Sequence, residues 1–147
     1  MVLVNNGSVD DTEKFFKKLT KIKNIKICRV KKNIGFGYGL KKGLLASSGK
    51  ILIYSHADLE VNPNDIIKSI KLFEKNRYNK KIFIKGNRIK LIKNNWTYID
   101  IFFSYGYTVL NLILFRKNIY DIHGMPVVFS KKLLKNLNYF PNEFSID

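Results

Sequence analysis

Four apolar residues, Ile51 to Tyr54, stand between two segments of helical period, and that bracket limits the fold more than any other feature of the chain. Upstream, Tyr38 to Ser47 sets Leu40, Leu44 and Leu45 on one face and stops at Ser48 and Gly49, a helix with a glycine ending. Downstream, Pro63 opens a second helix whose apolar stripe is Ile66, Ile67, Ile70 and Phe73. A short run that is apolar on both alternating faces, held between helices, is a buried strand of an α/β protein.

The same alternation continues on either side. Val2 to Val4 reads as the tail of a strand, Asn5 to Ser8 as a turn, and Asp10 or Asp11 as the cap of a helix with Phe15, Phe16 and Leu19 on its apolar face. Ile25 to Val30 is a strand that leads to the glycine-rich turn of Gly35, Gly37 and Gly39. Ile82 to Lys85 is a strand opening into Gly86, Asn87 and Arg88. Tyr98 to Leu114 is an aromatic-rich helix or pair of helices, Tyr120 to Phe129 a loop and short strand, and Ser130 to Leu137 a last helix. Together these predict an α/β sandwich with a largely parallel sheet, in a single domain over residues 1–147, without repeat or linker.

Charge narrows the partners. Lys and Arg number 27 against 11 Asp and Glu, a formal net charge of +16, which favours an anionic partner. Nucleic acid is not expected, because no recognition helix or aromatic ribonucleoprotein motif accompanies the charge. The AT-rich style of the composition, heavy in Lys, Asn and Ile, is a second source of the excess. Cys28 is the only cysteine, which excludes an intrachain disulfide and a Cys-rich zinc site and fits a cytoplasmic setting. Neither a leader nor a clean transmembrane run is read from the sequence.

The strand at Ile51 ends in His56, Asp58 and Glu60. Residues two apart in an extended chain point the same way, so these three potential ligands of a divalent cation are expected to project together from the strand end. Open α/β sheets bind ligands at such carboxyl ends. The plainer alternative is that the polar residues only turn the chain toward solvent. Gly35, Gly37 and Gly39 lack the terminal Gly-Lys-Ser/Thr of a phosphate loop, so they are read instead as permitting close approach of a helix N-terminus to backbone or ligand. Arg88 at a strand end suits a phosphate clamp, with a plain surface arginine as the alternative.

In combination these segments resemble family 2 glycosyltransferases. Asn5, Asn6, Gly7, Ser8, Asp10 and Thr12 are similar to that family's Asp-Asp-Gly-Ser-x-Asp-x-Thr motif. Asn33 to Gly49 resembles its Asn-x-Gly, helix, Gly-x-x-x-Ala-x-Gly segment, and His56 to Glu60 falls where its Asp-Ala-Asp-Leu-Gln metal motif stands. Gly86 to Arg88 is similar to its Gly-x-Arg. Asp121 to Phe129 resembles the Asp-x-x-x-Gly-Phe-x-x-Phe of the branch related to dolichyl-phosphate mannose synthase and other polyprenyl-phosphate glycosyltransferases.

The resemblance implies a GT-A fold and transfer of a sugar from a nucleoside-diphosphate donor, with Mg²⁺ or Mn²⁺ on the diphosphate. It implies metal ligands at Asp58, then Glu60, with His56 in place of the first acid; donor nucleotide and phosphate contacts at Asn6, Ser8 and Arg88; an acceptor-side role for Asp121; and a general base at Asp147. Imidazole in the first position suits Mn²⁺ better than Mg²⁺. Asp10 and Thr12 have helix capping as an alternative role, and Asp147 that of a terminal residue. His123 is read as a turn residue beside Gly124.

Implied partners are the nucleotide sugar, a polyprenyl-phosphate or membrane-associated glycan acceptor and an anionic membrane surface, with the protein peripheral at its inner face. Trp96, Tyr98, Phe102, Phe103, Tyr105 and Tyr107, with Lys90, Lys93 and Arg116, suit a membrane interface; packing of an ordinary apolar helix on the sheet is the alternative. The family's first strand has no counterpart here, so the chain is expected to be an interior piece of such an enzyme, weakly active or inactive alone. A non-catalytic module that binds nucleotide or a partner is the rival expectation.

Overall fold

A computed structural model of the protein describes residues 1–58, 61–76, 82–87, 97–116, 121, 124–139 and 141–142. The chain forms two compact units, one of residues 1–52 with the segment from Lys131 onward, the other of residues 53–130.

In the first unit β1 (Val2–Asn6) and β2 (Lys26–Val30) pair in parallel, Val2 opposite Lys26 through Asn6 opposite Val30. β1 runs on past Val4 to Asn6, so Asn5 and Asn6 belong to the strand and not to the turn after it. Helix α1 (Thr12–Leu19) makes the crossover. Phe16 and Leu19 are half-buried, but Phe15 is 56% exposed, so the expected three-residue face is really a two-residue one. Consecutive helical residues lie about 100° apart, and Phe15 is turned off the inner face by that step. Of the two candidate caps, it is Asp10 whose carboxylate accepts a backbone bond, from Thr12 N at 3.0 Å; the Asp11 side chain makes no capping bond.

Helix α2 (Phe36–Ala46) packs on both strands. Its approach to β1 depends on two glycines one turn apart. A Cβ at Gly43 would stand 2.6 Å from Val4 Cγ2, and one at Gly39 2.7 Å from Asn6 Cγ and Oδ1. Glycines at i and i+4 share a helix face, so the close approach expected of the glycine segment is made against side chains of β1.

A second sheet has the order β3-β5-β4, with β3 at Ile51–Tyr54, β4 at Phe83–Lys85 and β5 at Val127–Ser130; all but the first two residues of β3 belong to the second unit. β4 and β5 are antiparallel, Phe83 opposite Phe129 and Lys85 opposite Val127. Lys131 N, just past β5, donates to Lys50 O, just before β3, at 2.9 Å, so β3 and β5 also run in opposite senses. The expected largely parallel sheet is therefore corrected: among the described strands only β1 and β2 pair in parallel. The apolar run of β5 records burial on both faces, and a central strand reads the same in either direction.

β5 is that central strand. Val127 and Val128 have no exposed surface, and Phe129 stacks on Phe83 of β4 at 5.4 Å while meeting Tyr54 of β3 edge-on at 6.3 Å. Helix α3 (Pro63–Lys75) packs on β5. It starts as expected, with Pro63 in its first turn and Asn62 Oδ1 accepting from Asn64 N at 2.9 Å. Its inner face is Ile66, Ser69, Ile70 and Phe73; Ile67, expected inside, is 51% exposed. The Ser69 hydroxyl can take an inner position because it donates to Ile66 O at 2.7 Å within its own helix.

Helix α4 (Tyr98–Phe115) is one continuous helix of 18 residues. Most of its large apolar side chains are exposed, unlike those of the alternative reading, an ordinary helix packed on the sheet. No helix among the described residues is long and apolar enough to cross a membrane. A 3-10 helix, Lys131–Tyr139, follows β5.

Candidate functional site

In the first unit both parallel strands deliver polar loops at their carboxyl ends. Gly7 has φ +76°, and a side chain there would collide with the Asn33 backbone, so the loop after β1 crosses closely over the loop after β2. Asn6 ties the two together. Its Nδ2 donates to Asn33 Oδ1 at 3.3 Å and to Gly35 O at 3.1 Å. Asn33 Oδ1 also accepts from Gly35 N at 2.9 Å. Two acceptors face the Asn6 amide nitrogen, which fixes the amide orientation and leaves Oδ1 buried with no hydrogen-bond donor.

These contacts explain why asparagine stands where the motif it resembles has an acid. A carboxylate at position 6 would meet two oxygens, and Asn33 cannot turn its own amide to help without losing the Gly35 N–H.

Asn5 is 6% exposed and serves the loop from within. Its Oδ1 accepts from Ser8 N at 2.9 Å and its Nδ2 donates to Glu13 Oε2 at 3.2 Å. Glu13 Oε1 accepts in turn from Arg29 Nε at 2.8 Å. That bond, with a smaller contribution from Asn5, holds the Glu13 carboxyl below its usual range. Asp10 is likewise lowered, first by the Thr12 hydrogen bonds. Glu13 and Arg29 were not legible as loop supports. Their only sequence signal is an acid in the first turn of α1 and a base inside β2, 16 residues apart.

In the second unit the antiparallel arrangement sends the carboxyl ends of β3 and β4 to one edge, where the chain enters β5. His56 and Asp58 follow β3, Gly86 and Asn87 follow β4, and Asp121 and Gly124 precede β5. The two loops meet backbone to backbone. Gly86 N donates to Pro126 O at 2.9 Å; a side chain at Gly86 would run into the Met125 carbonyl, and one at Gly124 into the Gly86 carbonyl. Asp121 holds the left-handed conformation at φ 48°, and its carbonyl accepts from Gly124 N at 3.0 Å.

The segment expected to carry the three ligands is described only as far as Asp58. The strand ends at Tyr54 and the chain bends at Ala57 and Asp58, so alternation no longer governs where His56 and Asp58 point. His56 is half-buried and Asp58 exposed. Glu60, Arg88, His123 and Asp147 lie outside the described residues. Among the described residues no three His, Cys, Asp or Glu side chains gather as a metal cage. A diphosphate-bound Mg²⁺ does not need one, since one or two carboxylates suffice beside phosphate and water oxygens. An exposed Asp58 with an imidazole two residues before it fits that donor set, and the imidazole favours Mn²⁺.

Residues 1–137 match the family model described as Glycosyl transferase family 2, and the chain belongs to that family. No curated protein matches it. Membership makes the protein a glycosyltransferase of the GT-A α/β fold, acting on a nucleotide-sugar donor and an acceptor.

Proposed function

We propose that this family 2 glycosyltransferase moves a sugar from a nucleoside diphosphate to a polyprenyl phosphate at an anionic membrane surface, building a cell-envelope glycan, within one GT-A domain over residues 1–147. The assignment follows the dolichyl-phosphate mannose synthase branch that the Asp121 to Phe129 segment resembles. Its strongest support is the sheet edge where the loops of His56 and Asp58, of Gly86 and Asn87, and of Asp121 all emerge.

Asp58, Glu60 and His56 would hold a divalent cation. Such an ion neutralises charge on the departing diphosphate. Arg88 takes a phosphate oxygen as a fork donor, Asn6 and Ser8 take the nucleoside, and Asp121 lies on the acceptor side. In the transfer, an acceptor oxygen bonds to the anomeric carbon as the bond from that carbon to the diphosphate oxygen breaks, and the nucleoside diphosphate leaves with the electron pair. A phosphate acceptor is already ionised and needs no base. A hydroxyl acceptor gives up a proton, which Asp147 takes.

The test is transfer of labelled sugar from a panel of nucleoside-diphosphate sugars, with Mn²⁺ or Mg²⁺, onto either a polyprenyl phosphate or a glycan hydroxyl acceptor. Product on the polyprenyl phosphate that survives Asp147→Asn is expected. Product on the hydroxyl acceptor alone, abolished by Asp147→Asn, overturns the acceptor assignment. Nucleotide binding without turnover on any acceptor favours the non-catalytic module.

A further inference from the structure

α4 is built inside out. At about 100° per residue, Ile101, Thr108 and Asn111 share one narrow face, and Ile99, Phe102, Phe103, Gly106, Leu110 and Ile113 share the opposite one. The narrow face is the covered one: Asn111 is buried, and Ile101 and Thr108 are half-buried. The buried Asn111 amide donates to Tyr107 O at 2.7 Å, so its polarity is satisfied within the helix. The wide face is apolar and open, with Phe102 at 74%, Ile113 at 69% and Phe103 at 67% exposure. No described element packs along α4 as α2 packs on β1. A contiguous apolar face of this extent marks a docking surface rather than ordinary solvent-facing helix.

We infer that α4 docks in the plane of an anionic lipid bilayer, with the face of Phe102, Phe103, Leu110 and Ile113 sunk into the headgroup–acyl boundary. The net charge of +16 selects the occupant. A second copy would bring the same charge to the same surface, whereas anionic lipid offers the opposite sign. The helix is followed by the exposed Arg116, held at φ 50°, so a cation stands at the end of the apolar face. The helix is not long and apolar enough to span a membrane. A helix lying in the interface seats about 5–10 Å into the boundary region. The membrane in the function proposed above then has a specific element to receive it. Vesicle binding reads this docking without any sugar transfer, so the two fail separately.

The experiment is co-sedimentation of the full chain with vesicles of phosphatidylglycerol mixed into phosphatidylcholine, and with phosphatidylcholine alone. Binding to the mixed vesicles is expected to be at least about tenfold stronger than to the neutral ones. Phe102→Glu combined with Ile113→Glu is expected to abolish it, and so is Phe103→Gln combined with Leu110→Gln, which adds no charge. Ile67→Glu, on the exposed face of α3, is expected to leave it intact. Circular dichroism confirms that each variant is folded. Failure of the wild-type chain to sediment with mixed vesicles overturns the inference, as does unchanged sedimentation of both folded α4 variants. Self-association in lipid-free buffer that the α4 variants abolish, without vesicle binding, also overturns it and assigns the face to a second copy.

Discussion

Substituting Gly86 by alanine tests the packing of the second unit at its tightest point. Its backbone is not in the left-handed region, so the added methyl costs nothing in backbone strain and the effect is collision alone. That methyl would run into the Met125 carbonyl, with Pro126 N at 3.0 Å behind it. Neither is the tip of a movable side chain. The loop must open, which breaks the 2.9 Å bond from Gly86 N to Pro126 O and pulls on β5, where Val127 and Val128 are fully buried. Overpacking and the broken backbone bond together give a loss of about 3–5 kcal/mol. For a domain of this size that is roughly 10 °C in melting temperature.

Gly106 provides the matched control. It lies inside α4 with nothing within 4 Å of an added Cβ. The same change there removes only a helix-weakening glycine, a gain of about 0.8–1 kcal/mol. Urea unfolding followed by circular dichroism measures both. If Gly86→Ala lies within about 1 kcal/mol of wild type, or if the two variants shift in the same direction, the close backbone crossing is refuted.

The first unit yields two further expected outcomes. Asn6→Asp, which restores the acid of the resembled motif, is expected to destabilise by about 1–3 kcal/mol, because a carboxylate replaces the donor facing Asn33 Oδ1 and Gly35 O; equal or greater stability in a thermal melt would reject the loop account. Glu13 titrates below its usual range in the folded chain, so its bond to Arg29 stabilises above the ordinary glutamate pKa and is lost as pH falls through the lowered value. Melting temperature against pH should therefore fall less steeply on the acid side in Glu13→Gln than in wild type, and identical curves would remove Glu13 from the account.

The helix and strand positions were largely legible because periodicity and punctuation report them directly. Pro63 announced α3, Ser48 and Gly49 marked the end of α2, and Ile51 to Tyr54 read as a strand, of which Leu52 is buried and the other three are half-buried. What pattern does not encode is direction and surroundings. β5 is buried on both faces, so its run of valines and Phe129 looks alike in parallel and antiparallel sheets. Ile67, expected inside, is exposed, while Ser69 takes an inner position because its hydroxyl bonds its own helix. The outward apolar face of α4 is invisible to periodicity, since a helix apolar nearly all round gives no clue to which side is covered. At the candidate site, the row of His56 and Asp58 rested on the chain staying extended, and it bends at Ala57. The support that Asn5 draws from Glu13 and Arg29 joins three elements and has no local signature.

The proposed role of Asp58 in holding the donor diphosphate is tested most directly by calorimetric titration of a nucleoside diphosphate into the full chain, with and without Mn²⁺, for wild type and Asp58→Ala. Binding that requires Mn²⁺ and weakens at least about tenfold in Asp58→Ala, a loss of about 1.4 kcal/mol, is the predicted result. Binding of equal strength in the two chains, or binding indifferent to the cation, would contradict it.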